Sequence, residues 1–504
     1  MFNLIEEELK KREELSKTEN GAIGYKSSGS ALVDLNFAVS SLRSASEEEI
    51  ELMFDQAFYE DREYTLKWLF FARDIREGLG ERRLFRICYN RLLKLSPVDF
   101  FNNLKNISEY GRWDDLVSLI GIDDIADKYI VEIILNQLNE DIVNMKKDLP
   151  ISLLAKWLPS ENASSKKTKA LARKIIFLFG IKPKVYRKTL SSLRKYLKVT
   201  EVYMCNKDWG NIDYEKVPSL ANLKYKNAFL RNDNIRRSKY LDSLEKGEVK
   251  INMKAANPVD VVSKYTDFYR SIKEYDQTLE LAWKNLKDIS ISDTLVVADG
   301  SGSMTVSVSN STTALDVANA LAIYTSEHNT GVYKDKYITF SSTPQFVDLS
   351  SAESLMDKLI IANKHAEMTN TNIEAVFKLI LDLAIENDVP KDEMIKNILI
   401  ISDMEFDRAH CITSYDTYGS SLSQALFDKI RDDYEQAGYN LPKLIFWNVY
   451  SRNRVVPIRE NELGIGLVSG FSQNVLKMVM SNKYDPYSVL IDILDSERYD
   501  QIVL

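Results

Sequence analysis

The sequence predicts a multidomain protein of two classes: an N-terminal all-α array of helix pairs, then a C-terminal α/β domain built on a doubly wound, mainly parallel sheet. Three observations predict this. The chain has 504 residues, enough for two or three domains that each bury a core. Up to about Ile289 the apolar residues recur at three- and four-residue intervals, the spacing of amphipathic helices. Beyond that point short apolar runs of strand length alternate with helical stretches, the signature of strands joined by crossover helices.

In chain order, the acidic opening "MFNLIEEELKKREELSKTEN" reads as a helix and "NGAIGYKSSGS" as a turn-rich linker, together residues 1–29. Residues 30–288 hold the helical patterns "EEEIELMFDQAFYEDREYTLKWLFFARDI", "ERRLFRICYNRLLKL", "DIADKYIVEIILNQLNEDIVNMKK" and "SSKKTKALARKIIFLFG". Short connections such as "REGLG", "LSPVD" and "GIKP" make neighbouring helices antiparallel, as in an irregular, HEAT-like repeat array. In "EYGRWDDL", Gly111 allows a tight turn, Trp113 packs, and Asp114 and Asp115 cap the next helix. Arg76, Glu77, Glu81 and Arg82 form ion pairs around the "REGLGER" turn. Residues 289–504 supply the strands "TLVVAD", "YITFS", "PQFVDLS", "NILIISD", "KLIFWNVYS" and "GIGLVSG". Helices run from Thr312 to Asn329, from Ser351, from Asn372 to Asn387 and from Leu422.

Composition is that of a folded protein, 45% hydrophobic and 28% charged. Cys88, Cys205 and Cys411 are far apart and form no CxxC pair, which argues against a disulfide framework or a zinc site and for a reducing, cytoplasmic compartment. No apolar run reaches spanning length and the opening is not a signal sequence, so neither export nor a membrane is expected.

The net charge of −8 hides an asymmetry. Between Asn162 and Thr200 stand twelve basic residues and no acid: Lys166, Lys167, Lys169, Arg173, Lys174, Lys182, Lys184, Arg187, Lys188, Arg194, Lys195 and Lys198. Such density suits an anionic partner, with RNA ahead of an acidic protein surface. Tyr186 and Tyr196 lie among these cations, where they either stack on unpaired bases or belong to the core of an amphipathic helix that also buries Leu193 and Leu197.

The second candidate site is the oxygen-rich loop "DGSGS". Asp299, Ser301 and Ser303 alternate directly after a buried strand, and Gly300 and Gly302 let the loop turn tightly so that three oxygens face one point. Doubly wound sheets bind ligands at the carboxyl ends of their strands. Asp403 ends another such strand, and Thr371 precedes a helix. An all-oxygen set of hydroxyls and carboxylates suits a hard cation, Mg2+ with Mn2+ or Ca2+ as variants, rather than zinc or copper. Glu405 and Asp407 are either outer partners of the site or solvated. The three histidines, His328, His365 and His410, show no motif spacing, and there is no phosphate loop or nucleophile elbow, so binding rather than catalysis is expected.

Two resemblances accompany these readings. D-G-S-G-S with a later Thr and Asp resembles the metal-ion-dependent adhesion site of von Willebrand factor A-type domains. The resemblance implies a Rossmann-like fold, metal held by Asp299, Ser301, Ser303, Thr371 and Asp403, and an open position for a partner's carboxylate. "FARDIREGLGERRLFRICYNRL" and "ISEYGRWDDLVSL" resemble the TROVE-like helical region of Ro-type RNA-binding proteins, and more closely a family of unassigned function that couples such a region to an A-type domain. In Ro-type proteins helical repeats form a ring that binds RNA through basic residues. Two functions follow as expectations: an RNA-binding, ribonucleoprotein scaffold whose A-type domain engages an acidic protein partner through Mg2+, or a metal-dependent protein-interaction module with no nucleic acid. A metal-dependent nuclease ranks third.

Overall fold

The computed structural model describes residues 15–17, 23–267, 271–289, 291–309, 312–366, 371–405, 424–452, 456, 465–479 and 485–504. Most of the expected opening helix, Asp407, His410 and Cys411 lie outside the described residues, but the described part of that helix, Leu15–Lys17, is a strand instead. The chain divides into two compact units, one made of Met1–Thr65 and Met253–Asp495, the other of Leu66–Asn252 and Ser496–Leu504. These limits differ from the sequence boundaries at 29 and 288, because both units are assembled from separated segments.

The first unit carries the strands: β1 (Leu15–Lys17), β2 (Ile23–Tyr25), β3 (Thr294–Asp299), β4 (Ser307–Ser309), β5 (Thr312–Thr313), β6 (Lys336–Phe340), β7 (Phe346–Asp348), β8 (Asn397–Ser402), β9 (Lys443–Asn448) and β10 (Gly466–Ser469). Six of them form one sheet in the order β10-β9-β8-β3-β6-β7, parallel throughout except for the antiparallel edge strand β7. Counted from β3, this is the 3-2-1-4-5-6 order of a doubly wound sheet, and the direction of winding reverses between β3 and β8. The central strands are fully buried, so they are continuous apolar runs rather than alternating ones.

Helices cover both faces. Leu295, Val297, Ile338, Phe340, Ile398, Ile400, Leu444 and Phe446 share one core with Val33, Phe37, Val376, Phe377, Ile380, Ile430 and Tyr434 from three helices, Ala31–Phe37, Ile373–Glu386 and Gln424–Gln436. Helix Ala314–His328 packs on β3, β6 and β8 and is buried on nearly every side, which its run of Ala, Leu and Ile permits. A Thr313/Asp316 capping box starts it.

The stretch read as a linker is part of this unit. β1 and β2 pair with each other, Tyr25 bridges Val456, and Ser30 caps helix Ala31–Phe37. Ser40 Oγ donates to Asn448 O at 2.9 Å and accepts from Gly470 N at 3.0 Å, so the N-terminal segment is stitched to the ends of β9 and β10.

The second unit is helical throughout its described residues, with Arg82–Leu95, Asp124–Lys146, Lys166–Leu178, Pro183–Tyr196, Ser219–Asn232 and Asn234–Glu245 as its main helices. At its centre Arg73 and Asp115, both almost fully buried, pair at 2.7 Å, and Arg86 reaches the other Asp115 oxygen at 2.8 Å. Asp115 does cap its helix, accepting from Arg112 N, but its charge is committed to these two arginines. Gly111 is required here for space: a Cβ would sit 2.7 Å from Asp115 Oδ2. Arg76 and Arg82 pair with Glu109 and Asp114, outside the turn where the sequence suggested partners. The segment Ser496–Leu504 returns to this unit. Arg498 grips Asp74 with two hydrogen bonds of 2.8 and 3.0 Å, and Tyr499 stacks on Tyr110.

Candidate metal centre and basic surface

In the first unit, Asp299 is the last residue of β3 and Ser402 the last of β8, neighbours in the sheet at its switch point. Ser402 Oγ donates to Asp299 Oδ2 at 2.6 Å, and Ser301 N donates to Asp299 Oδ1 at 2.9 Å. The tight loop brings Ser301 Oγ and Ser303 Oγ to 2.9 Å from each other. Asp403 accepts from Ser303, from Glu405 N at 3.2 Å and from Arg452 Nη2 at 3.2 Å. Met404, directly after Asp403, adopts a left-handed backbone with φ of 62°, a conformation that costs a non-glycine residue energy and is held here by Met404 N donating to Ser402 Oγ.

Asp299 and Asp403 are each 1% exposed. Burial, and then the charge of Asp299, push the Asp403 carboxyl up to about 7, while Ser303, the Glu405 N–H and Arg452 pull it back. Two buried carboxylates, two hydroxyls within hydrogen-bond reach of each other and one partial counter-charge make a donor set of hard oxygens with surplus negative charge. That chemistry fits Mg2+. Among the described residues no group of three or more His, Cys, Asp or Glu is arranged to hold a metal.

Four of the five predicted residues are thus joined in one network. The fifth, Thr371, is partly buried and stands two residues before helix Ile373–Glu386, with its Oγ1 atom buried. Glu405 is buried rather than solvated: it is 3% exposed and accepts from Arg452 N at 2.9 Å. Sequence reasoning missed Ser402 and Arg452. The first was hidden at the end of an apolar run, and the second lies 49 residues beyond Asp403 with no local signal.

In the second unit the twelve cations divide into groups. Lys166, Lys167, Arg173, Lys182, Lys184, Lys188, Lys195 and Lys198 are exposed and make no ion pair among the described residues. Lys169 is half-buried. Lys174 is paired with Asp127 at 2.9 Å, Arg187 with Glu161, and Arg194 is tied to Ala155 O, Leu158 O and Ser160 Oγ at 2.7–2.8 Å. These three are partly structural. Tyr186 is not a stacking platform: it is 1% exposed and donates to Pro159 O, because it occupies the apolar stripe that continues with Leu190 and Leu193. The exposed aromatic is Phe177, 82% accessible, one turn from Arg173 and Lys174 on the open face of helix Lys166–Leu178. An apolar ring on a charged face was the available signal.

Comparisons place these sites in context. The family described as Domain of unknown function (DUF2828) matches residues 18–128 and 177–294, and Domain of unknown function (DUF7788) matches residues 293–491. All five candidate metal residues fall within the second match. The chain is 31% identical to Uncharacterized protein L728 of Acanthamoeba polyphaga mimivirus over 517 residues, covering 95% of this chain and 87% of that protein. The crystal structure of the Deinococcus radiodurans RO (RSR) protein aligns over 87% of this chain and 92% of that one at 12% identity. Its TM-score of 0.35 is too low to carry any conclusion about fold or function. Among the described residues no helix is long and apolar enough to cross a membrane.

Proposed function

The chain belongs to the family of the mimivirus Uncharacterized protein L728, and from its geometry we propose that it is a two-site binding protein rather than an enzyme. The sheet unit, an A-type domain on this reading, holds Mg2+ through Asp299, Ser301, Ser303, Thr371 and Asp403 and presents it to an acidic protein partner. The observation that carries this is the pairing of two carboxylates, each 1% exposed, with two serine hydroxyls at the switch point of the sheet. Bound Mg2+ would supply Lewis acidity for a ligand carboxylate. The chain's own residues do the positioning. Ser402 and the Ser301 N–H fix both oxygens of Asp299, while Arg452 and the Glu405 N–H fix those of Asp403. Titration calorimetry with Mg2+ tests it: binding by the wild type that is lost in Asp299→Ala is expected, and equal behaviour of the two proteins rejects the metal site.

The eight exposed, unpaired cations support a second site on the helical unit, an RNA-binding surface. Phosphates need only dense positive charge, and Phe177 offers a face for stacking. Gel shifts with a tailed RNA at low and moderate salt, with and without EDTA, test this. Steeply salt-dependent binding that ignores EDTA is expected. Binding no better than to a neutral control protein assigns the surface to an acidic protein instead.

A further inference from the structure

A cavity of about 260 Å³ opens inside the basic surface, between the turn Ser160–Asn162 and helix Pro183–Tyr196. Of its lining residues, buried Tyr186 and Leu190 with half-buried Val202 make an apolar floor, and exposed Arg187 and Ser191 with half-buried Glu161 make the rim. We infer that this cavity is a pocket for a single unpaired purine nucleotide of bound RNA, selective for guanine; the inference rests on the RNA reading of the surrounding surface and deepens it.

Size comes first. Pockets for drug-sized ligands begin at roughly 300 Å³. At 260 Å³ the cavity suits one base and part of its sugar, not a stacked pair.

Rigidity comes next. Arg194 clamps Ala155 O, Leu158 O and Ser160 Oγ, and Tyr186 Oη donates to Pro159 O, so the wall formed by this turn is held in place before any ligand arrives. Pre-organisation of this kind lowers the cost of binding. Tyr186, buried too deeply to stack on an exposed strand, still contributes to the apolar floor on which an inserted base would rest.

Selectivity follows from Glu161. Its carboxylate, only 18% exposed, takes Arg187 through Oε2 and keeps further acceptor sites on its two oxygens. The Watson–Crick edge of guanine presents two adjacent donors, N1–H and N2–H, which a carboxylate accepts together. Adenine presents an acceptor at N1 and meets repulsion there. Unpaired bases are read on these edges by proteins that bind single strands. An acidic peptide is disfavoured at this spot, because the only carboxylate of the rim would face it. Outside the mouth, Lys184, Lys188 and Lys195 are exposed within one turn of Arg187 or Ser191 on the same helix, where the flanking phosphates would lie.

The test uses the full chain and two kinds of probe. GMP and AMP are titrated by calorimetry, and an eight-nucleotide oligo-A is compared with the same strand carrying one central guanine. Wild type is expected to prefer GMP over AMP, and the guanine strand over oligo-A, by about tenfold, the discrimination of one good bidentate base contact. Glu161→Gln, which replaces one acceptor oxygen by a donor, is expected to abolish the preference while retaining oligo-A binding. Ser191→Trp, at an exposed position, is expected to fill the cavity and abolish GMP binding, with an unchanged melting temperature showing that the fold is intact. Equal affinity for GMP and AMP, or wild-type GMP binding by Ser191→Trp, overturns the pocket. Strands that bind equally tightly with and without guanine overturn it too while leaving the RNA surface standing. GMP binding without any strand binding leaves the pocket standing as a free-nucleotide site and removes the RNA reading.

Discussion

Replacing Asp299 by Asn separates two effects that a purely structural turn would not separate. Above about pH 7 and in the absence of metal, Asp299 and Asp403 are like charges held together at 1% exposure, and the raised Asp403 carboxyl records burial together with their repulsion. Neighbouring unit charges at an effective dielectric of about 20 repel by about 3 to 4 kcal/mol. The Arg452 guanidinium, 3.2 Å from Asp403, already cancels part of this. Asn also weakens the 2.6 Å bond from Ser402, a loss of about 1 to 2 kcal/mol for a bond to a charged group. The metal-free variant should therefore be more stable than wild type by about 1 kcal/mol. Mg2+ at a hundred times its dissociation constant adds about 2.7 kcal/mol to a protein that binds it and nothing to one that does not. Differential scanning calorimetry of the full chain, in EDTA and in Mg2+, reads both effects. Wild type in Mg2+ should melt highest, Asp299→Asn should melt at one intermediate temperature in either buffer, and wild type in EDTA should melt lowest. A variant that melts below wild type in EDTA, beside a wild type indifferent to Mg2+, would reduce Asp299 to a turn residue.

The remaining expectations concern single sites. Thr371→Ala should weaken Mg2+ binding about tenfold in calorimetry, as expected when one hydrogen-bonding or coordinating hydroxyl worth about 1.4 kcal/mol is lost, and leave melting in EDTA unchanged. Neutralising Lys182, Lys184 and Lys188 to Gln should lower the slope of log affinity against log salt for single-stranded RNA by about 2, at about 0.7 per phosphate contact. Arg498→Ala leaves Asp74, with no exposed side-chain surface, as a buried charge without its bidentate partner. It should destabilise the helical unit by about 3 kcal/mol in urea unfolding, with much of the loss recovered in Asp74→Asn/Arg498→Ala. Gly78→Ala would put a Cβ 2.0 Å from Phe71 O, backbone that cannot step aside, and should lower soluble yield and melting temperature together.

The sheet was legible because a fully buried parallel strand is an apolar run of fixed length, and each of the six runs named in the sequence falls on one of the six strands. The loop Asp299–Ser303 was legible for a related reason: three donors lie within five residues, so local order alone brings them together. Ser402 and Arg452 were not, because their roles depend on which strands become neighbours, and that is set by packing across the sheet. Tyr186 illustrates a conflict between two local signals. Its basic neighbours suggested a nucleic-acid surface, but its spacing to Leu190 and Leu193 placed it on the buried stripe, and burial of an aromatic ring prevailed. The division into units was the least legible feature. A Gly/Ser-rich stretch is a reasonable linker by composition, and only its distant partners, Asn448, Val456 and Gly470, make it part of a folded unit.

Those distant partners also dictate an order of events at the ribosome. Ser40 and the Ser469 hydroxyl it touches are separated by 429 positions. At about 5 to 20 residues per second, the first segment must wait roughly 20 to 90 seconds for the strand ends it binds. During that interval Leu66–Asn252 has been translated in full and can condense on its own local contacts. The apolar helix Ala31–Phe37, with Leu32, Val33, Leu35 and Phe37 destined for burial, is then an exposed sticky segment on a half-made chain.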